Sequence, residues 1–479
     1  MKRLVYRLWH SPTFTAWANR ATQSVRLIVL LPLILKRFDD TQVASWFLFS
    51  SILFFGQMLS RQTALVMARM TAMANGGLDD LSPHTGKARA TTGQPNWPLI
   101  ERLYGTLQSL NAILASVGLL LAAIMGYYSL QPMLSHYDGA RDIWWAFAIL
   151  MAGYFLNEFF RKYEVTLKGL NQVALTNRWN ALFSILSSCS GALVLLAGGS
   201  IIELAFAMQI FILIGLLRQW GLLMFLVEPR FRAFKTWSWH KDIIRWAWQP
   251  LWRGMIQALA NRGGSKISAV VLARHCDPVS LASILLAIRV LETLEDVSST
   301  PITSHSPRFG RLLGEGKIDK FRQGMERAFR LSSIVHVSGV VLIGFFAGLG
   351  LRLLGSDTQF IPMDLFFSLG IAQTLFSTVR KSLMISIVGN NVVAVERYLA
   401  AAAATALLAF WLIPMDPFWG FLVSSYFPVF VLVNYKPLQI GCRLLQESMS
   451  EFLARTMLIP AGFLLVSALF ALSLCGLHF

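Results

Sequence analysis

The sequence predicts an all-α, polytopic membrane protein of about 13 transmembrane helices (12–14). Three observations carry that prediction. The chain is 55% hydrophobic and only 14% charged, with a mean hydropathy of +0.56, whereas a soluble protein of this size carries about a quarter charged residues. Apolar windows long enough to cross a bilayer recur along the whole chain. The basic residues segregate to alternate connections, as orientation by positive inner loops requires. That segregation accounts for most of the net charge of +17, so nucleic acid is not an expected partner. Cysteines at 189, 276, 442 and 475 have no paired spacing, and neither a disulfide framework nor a CxxC metal site is suggested.

In order, the windows are 12–35, 43–72, 104–129, 143–167, 175–198, 201–227, 246–272, 279–306, 326–353, 361–388, 393–413, 416–436 and 457–477. The basic start MKRLVYRLWHSPTF precedes a long apolar stretch that carries Arg20 and Arg26 and lacks a small-residue cleavage site. It reads as a first span, not a cleaved signal peptide. With the N-terminus cytoplasmic, the outer connections hold only Lys36, Arg37, Arg141, Arg274 and Arg352. Most of the remaining basic residues, among them Arg161, Lys162, Arg380 and Lys381, are counted to the inner side. The odd span count then puts the C-terminus in the periplasm.

Two connections are extended, and both fall on the inner side. NGGLDDLSPHTGKARATTGQPNW is rich in turn formers and reads as mobile. EPRFRAFKTWSWHKDIIRWAWQPLW interleaves tryptophans with cations, the composition of a helix lying on an anionic leaflet, so anionic membrane lipid is an expected partner. This linker separates halves that look related. Trp17-Ala18-Asn19-Arg20 parallels Leu259-Ala260-Asn261-Arg262, and Val43-Ala44-Ser45 parallels Leu281-Ala282-Ser283, each of the latter just past an acidic turn (Asp39-Asp40 and Asp277). The expected organisation is an N-lobe over 1–227, an amphipathic linker over 228–245, a C-lobe over 246–437, and a loop with an additional span over 438–479. Two six-span lobes related by internal repetition point to a transporter with its site between them.

Cations also remain inside the spans. Arg69, Arg218 and Arg330 lie near inner ends, where a long side chain can snorkel. Arg20, Arg26, Arg61, Arg253, Arg262, Lys266 and Arg289 fall in spans one, two, seven and eight, which are equivalent under the repetition. At about 3 kcal/mol each in lipid, they must face protein or water. Asn19, Arg20, Gln23 and Arg26 share one helical sector, as do Gln249, Arg253, Gln257 and Asn261, with Arg262 and Lys266 opposite the latter. In LLAIRVLETLEDVSSTPI, residues Arg289, Glu292, Glu295, Asp296 and Ser299 share another sector. Two readings of Arg289 stand side by side: a structural ion pair with Glu292 or Asp296, and a cation offered to an anionic substrate. The guanidinium-rich balance suits phosphate or pyrophosphate oxygens and repels a hydrophobic cation.

On these features the chain resembles the multidrug/oligosaccharidyl-lipid/polysaccharide (MOP) exporter superfamily, in particular its bacterial lipid-linked oligosaccharide flippases of the O-antigen and exopolysaccharide type. The resemblance spans residues 10–440 and rests on WANRATQSVR, FDDTQVASWFLFSSILFFGQMLSRQ and STPITSHSPRFGRLLGEGKIDKF. Arg20 with Arg26, Arg61, and Arg289 with Glu292 are similar in placement to the arginines of the related lipid II flippases, whose Gly- and Asp-rich motif after span one is absent here. The resemblance implies two six-helix bundles in a V around a central cationic cavity, in the bacterial inner membrane. It implies a cargo of undecaprenyl-pyrophosphate-linked glycan, handed to a downstream polymerase or glycan-assembly complex. No cofactor and no enzymatic activity are implied. Arg20, Arg26, Arg61, Arg253, Arg262, Lys266 and Arg289 are the expected pyrophosphate ligands; Glu292, Glu295, Asp296, Asp39 and Glu158 are the coupling or gating candidates for H+ or Na+. A lipid II flippase and a multidrug cation antiporter of the same fold are the alternatives. A membrane glycosyltransferase or polymerase would want a sizeable outer domain, and every outer connection here is short.

Overall fold

In the computed structural model, residues 12–77, 94–259, 263–302, 305, 309, 318–354, 359–388, 395–433 and 435–476 are described, and every regular element among them is helical. Spans one to three are α1 (Pro12–Arg37), α2 (Asp40–Asn75) and α3 (Trp97–Leu134). Span four is α4 (Ala140–Phe159) with its continuation α5 (Lys162–Gly169); α6 (Val173–Leu196) and α7 (Ile201–Gly221), which runs into a π turn at Leu222–Val227, follow. Next come α8 (Lys241–Ala258), α9 (Gly264–His275), α10 (Pro278–Ser298) and α11 (Ile318–Leu354). The last are α12 (Met363–Val388), α13 (Val395–Leu412), α14 (Pro417–Leu432), α15 (Tyr435–Leu444) and α16 (Met449–Gly476). Among the described residues, 8 helices are long and apolar enough to cross a membrane, or 9 if the bent pair α14 and α15 is one span. α10 does not qualify, because every stretch of sufficient length includes Arg289, Glu292 and Glu295.

The helices start where capping chemistry places them. Asn96 Oδ1 accepts from Leu99 N–H at 3.1 Å to open α3, and Ser200 and Glu203 form a reciprocal capping box on α7. Asp277 opens α10 and Asp416 opens α14 in the same way. Each cap satisfies an otherwise orphaned donor and contributes about 1 kcal/mol. Their sides show the inversion expected in lipid. In the middle of α3, between 113 and 129, the buried positions are small (Ala115, Gly118, Ala122, Gly126, Ser129), while Ile113, Val117, Leu120 and Ile124 face outward. With lipid as apolar as leucine, close approach of small residues rather than burial of large ones holds helices together.

By contact the chain groups into two compact units, Met1–Arg37 with Phe49–Met255 and Phe38–Leu48 with Ile256–Phe479. In the first, α1 lies along α6, α4 against α7, and α3 against α4. One end is closed by Met67, Leu99, Tyr104, Leu223, Phe231, Ile243 and Leu251. In the second, α13 and α14 form a tight hairpin, α11 lies along α16, and α12 packs on α11 and α15. Phe321, Phe329, Leu438 and Phe452 close its end. A Cβ on Gly420 would come within 2.5 to 2.6 Å of the Leu412–Ile413 backbone across that hairpin. Gly420→Ala is therefore expected to destabilise by about 1–3 kcal/mol, seen as a lowered unfolding midpoint in detergent.

Several expectations are corrected here. Span seven is described as α8 and α9; residues 260–262 between them, Arg262 included, lie outside the described residues. In span eight α10 ends at Ser298, where Ser299 N–H donates to Glu295 O at 2.9 Å, and residues 300–302 are again helical. Arg161 and Lys162 do not lie in a solvated connection, because α5 continues the span and buries Lys162 with its Nζ 4.7 Å from the Tyr104 ring. Arg218 does not snorkel: its Nη2 donates to Asn180 Oδ1 at 2.8 Å and its guanidinium stacks 5.0 Å from Phe183. Residues 78–93 of the turn-rich segment after span two and the Gly-Glu-Gly-Lys turn lie outside the described residues.

Candidate functional site

α10 organises the polar interior of the second unit. Its first half buries Leu281, Ile284, Leu285, Leu286 and Ile288, and its second half presents the charges. The sector predicted for those charges resolves into two clusters. The first is a trio: Lys266 Nζ of α9 lies 2.6 Å from Glu292 Oε1, and Arg289 Nη1 donates to Glu292 Oε2 at 3.5 Å. α9 is held against α14 by a 2.9 Å hydrogen bond between the hydroxyls of Ser268 and Ser424, which fixes the lysine. Among the described residues one carboxylate thus serves two cations, a surplus of one positive charge within the trio. Arg289 and Glu292 keep 34% and 25% of their side-chain surface exposed, so this pairing can be reached from outside the protein interior.

The second cluster is sealed. Glu295 is 1% exposed and His336 of α11 fully buried, with Nδ1 3.4 Å from Glu295 Oε2. Ser298 Oγ lies 3.3 Å from the same ring nitrogen. From α12, Arg380 Nη1 is 3.9 Å from Glu295 Oε1, with Lys381, itself buried, and Ser377 against the same carboxylate. Tyr426 of α14 completes the surroundings. Beyond that ion-pair contact, Glu295 Oε2 and His336 Nε2 have no hydrogen-bond partner among the described residues. Unpaired, any of these charges would cost several kcal/mol in a low-dielectric interior, which is why they occur together.

The remaining predicted residues are described each in its own surroundings. Arg61 is exposed and its Nη2 donates to Gln57 Oε1 at 2.8 Å. Arg253, also exposed, has its guanidinium 5.9 Å from the Trp252 ring. α1 carries Arg20 and Arg26, but their side chains, like all of Arg262, lie outside the described residues. Asp39 accepts from Gln42 N–H at 3.0 Å, the N-cap geometry of α2. Asp296 is exposed, and its backbone carbonyl accepts from Ser299 and Thr300. Glu158 is fully buried and gripped by both Nε and Nη2 of Arg161. Because removal of one partner strands a buried guanidinium, Glu158→Ala is expected to cost about 3–5 kcal/mol, and an unchanged thermal midpoint would refute the pairing.

His336, Arg380 and Lys381 surround Glu295 and were not among the residues that the sequence singled out. The signal was present: Arg380 and Lys381 fall inside the window 361–388, and His336 inside 326–353. The rule applied to Arg289, that an in-span charge faces protein, selects them too.

No family profile and no curated protein matches the sequence. Solved structures do. An inward-facing multidrug resistance transporter of the MATE family of the MOP superfamily superposes with a TM-score of 0.61 at 13% identity, covering 92% of this chain and 99% of the other. An outward-facing one gives 0.58 at 14% identity over 92% and 98%. A MOP superfamily transporter from Pyrococcus furiosus, for which a reverse polarity of the binding pocket suggests a different function, gives 0.56 at 14% over 92% and 98%. The chain has the fold of the MOP superfamily transporters.

Proposed function

We propose that the chain is a transporter that flips an undecaprenyl-pyrophosphate-linked oligosaccharide from the cytoplasmic to the periplasmic leaflet by alternating access. The trio Lys266–Glu292–Arg289 carries the reading: two cations on one accessible carboxylate form a site that a phosphate can enter by displacing Glu292. Arg20, Arg26, Arg61, Arg253 and Arg262 extend this basic set in spans one, two and seven. The buried Glu295–His336 pair, faced by Arg380, Lys381 and Tyr426 and neighboured on α10 by Arg289, Glu292 and Asp296, serves as the ion-coupling element for H+ or Na+. The glycan would then pass to an assembly complex at the outer face.

A second reading has equal support from the fold, since two of the matching structures are multidrug resistance transporters. The charge balance separates the two, because the trio's surplus cation repels a cationic drug. The test uses the purified protein in proteoliposomes with a fluorescent pyrophosphate-linked oligosaccharide, lipid II or a cationic dye, under imposed proton and sodium gradients. Movement of the oligosaccharide with no dye efflux is expected; dye efflux alone overturns the proposal, and movement of lipid II alone reassigns its cargo.

A further inference from the structure

The amphipathic helix α8 carries a feature that the transport reading does not use. Its inward face is already satisfied: Ile243, Ala247 and Leu251 are buried in the first unit. Its outward stripe, Lys241, Ile244, Arg245 and Trp248, falls within one sector of about 100°. Together with Trp239 these residues line a cavity of about 350 Å³. Trp237, Trp239 and Trp248 are each more than half exposed, at 55%, 51% and 61%. The segment is also fixed before any ligand arrives. Arg102 of α3 pairs with Asp242, Lys235 N–H donates to Glu101 Oε1 at 3.1 Å, and Ser109 Oγ donates to Ser238 O at 2.9 Å.

Exposed indoles are unfavourable in water and at home at a bilayer interface, where the ring body meets acyl carbon and the N–H meets headgroups. The two cations on the same stripe select among headgroups. We propose that Trp239, Lys241, Ile244, Arg245 and Trp248 form a binding site for the phosphate-bearing headgroup of an anionic glycerophospholipid. The cations engage the phosphate and the indoles the glycerol and upper acyl region, which ties this face of the first unit to an anionic leaflet. A choline or ethanolamine ammonium is disfavoured there by Lys241 and Arg245. The site stands independently of what the protein transports.

The test is native mass spectrometry of the full-length protein in detergent, titrated with phosphatidylglycerol, with phosphatidylcholine, or with inorganic phosphate. Wild type should retain phosphatidylglycerol in preference to phosphatidylcholine. The K241Q/R245Q double variant should weaken phosphatidylglycerol by about 30-fold, from about 1 kcal/mol per cation near the interface, and leave phosphatidylcholine unchanged. W239L/W248L should weaken both lipids. K436Q/R443Q, which removes two cations elsewhere, should leave phosphatidylglycerol affinity unchanged. Equal binding of the two lipids by wild type, unaltered phosphatidylglycerol binding by K241Q/R245Q, or equal weakening by K436Q/R443Q overturns the site. Inorganic phosphate binding as tightly as phosphatidylglycerol would show a soluble-anion site and overturn the lipid assignment.

Discussion

Arg289→Ala is expected to cut flipping of a pyrophosphate-linked oligosaccharide by roughly 30- to 150-fold at normal membrane levels, the loss of about 2–3 kcal/mol from charge-assisted hydrogen bonds to phosphate. The direction follows from the trio. Arg289 is one of two cations on Glu292, and its guanidinium offers a planar fork to phosphate oxygens. Lys266→Ala should give a smaller loss, because an ammonium contributes a point charge without bidentate geometry. Glu292→Gln has the opposite sign for binding: it removes the internal competitor, so cargo affinity should rise even as release slows. A scintillation-proximity binding assay with the pyrophosphate-linked cargo separates these outcomes. If Glu292→Gln weakens binding as much as Arg289→Ala does, the three residues form a structural unit and the cargo assignment fails.

Glu295→Ala is expected to destabilise the second unit by about 3–5 kcal/mol, because it removes the buried carboxylate that Arg380, Lys381 and His336 face. The thermal midpoint in detergent reports that loss. Glu295→Gln keeps the volume and a hydrogen-bonding amide, so it should fold with a smaller deficit. If Glu295 carries the coupling charge, Glu295→Gln should also abolish ion-driven accumulation in proteoliposomes while downhill cargo exchange persists. Retained accumulation would remove Glu295 from the coupling role. His336→Asn tests the partner: with the ring gone, the pH dependence of accumulation should shift or vanish, whereas a pure packing role would lower stability and leave that profile in place.

The repetition in the sequence has a structural counterpart in its most local parts. Val43-Ala44 and Leu281-Ala282 are all fully buried, each pair four and five residues beyond an aspartate that caps its helix. Such agreement was legible because caps and buried small residues depend on near neighbours in the chain. The pairings were less legible. Helical angles put Arg289, Glu292, Glu295 and Asp296 on one face of α10, yet that face divides, Glu292 going to Lys266 and Glu295 to His336 and Arg380. A wheel gives the direction in which a side chain leaves its own helix and says nothing about which helix stands there.

The same distinction explains Lys162, Arg218 and Arg161, which sequence reading sends to water or to the headgroups. Each instead finds an internal partner: an aromatic ring for Lys162, Asn180 and Phe183 for Arg218, and Glu158 for Arg161. The cost of an uncompensated charge in lipid is a one-body quantity, readable from composition and position alone. For that reason the sequence by itself determined the membrane class, the helical spans and the surplus of positive charge within them. What relieves that cost is a two-body contact between residues as far apart as Glu295 and Arg380. Only the tertiary structure, by choosing which helices lie side by side, decided which cation is locked in a buried network and which keeps part of its surface exposed.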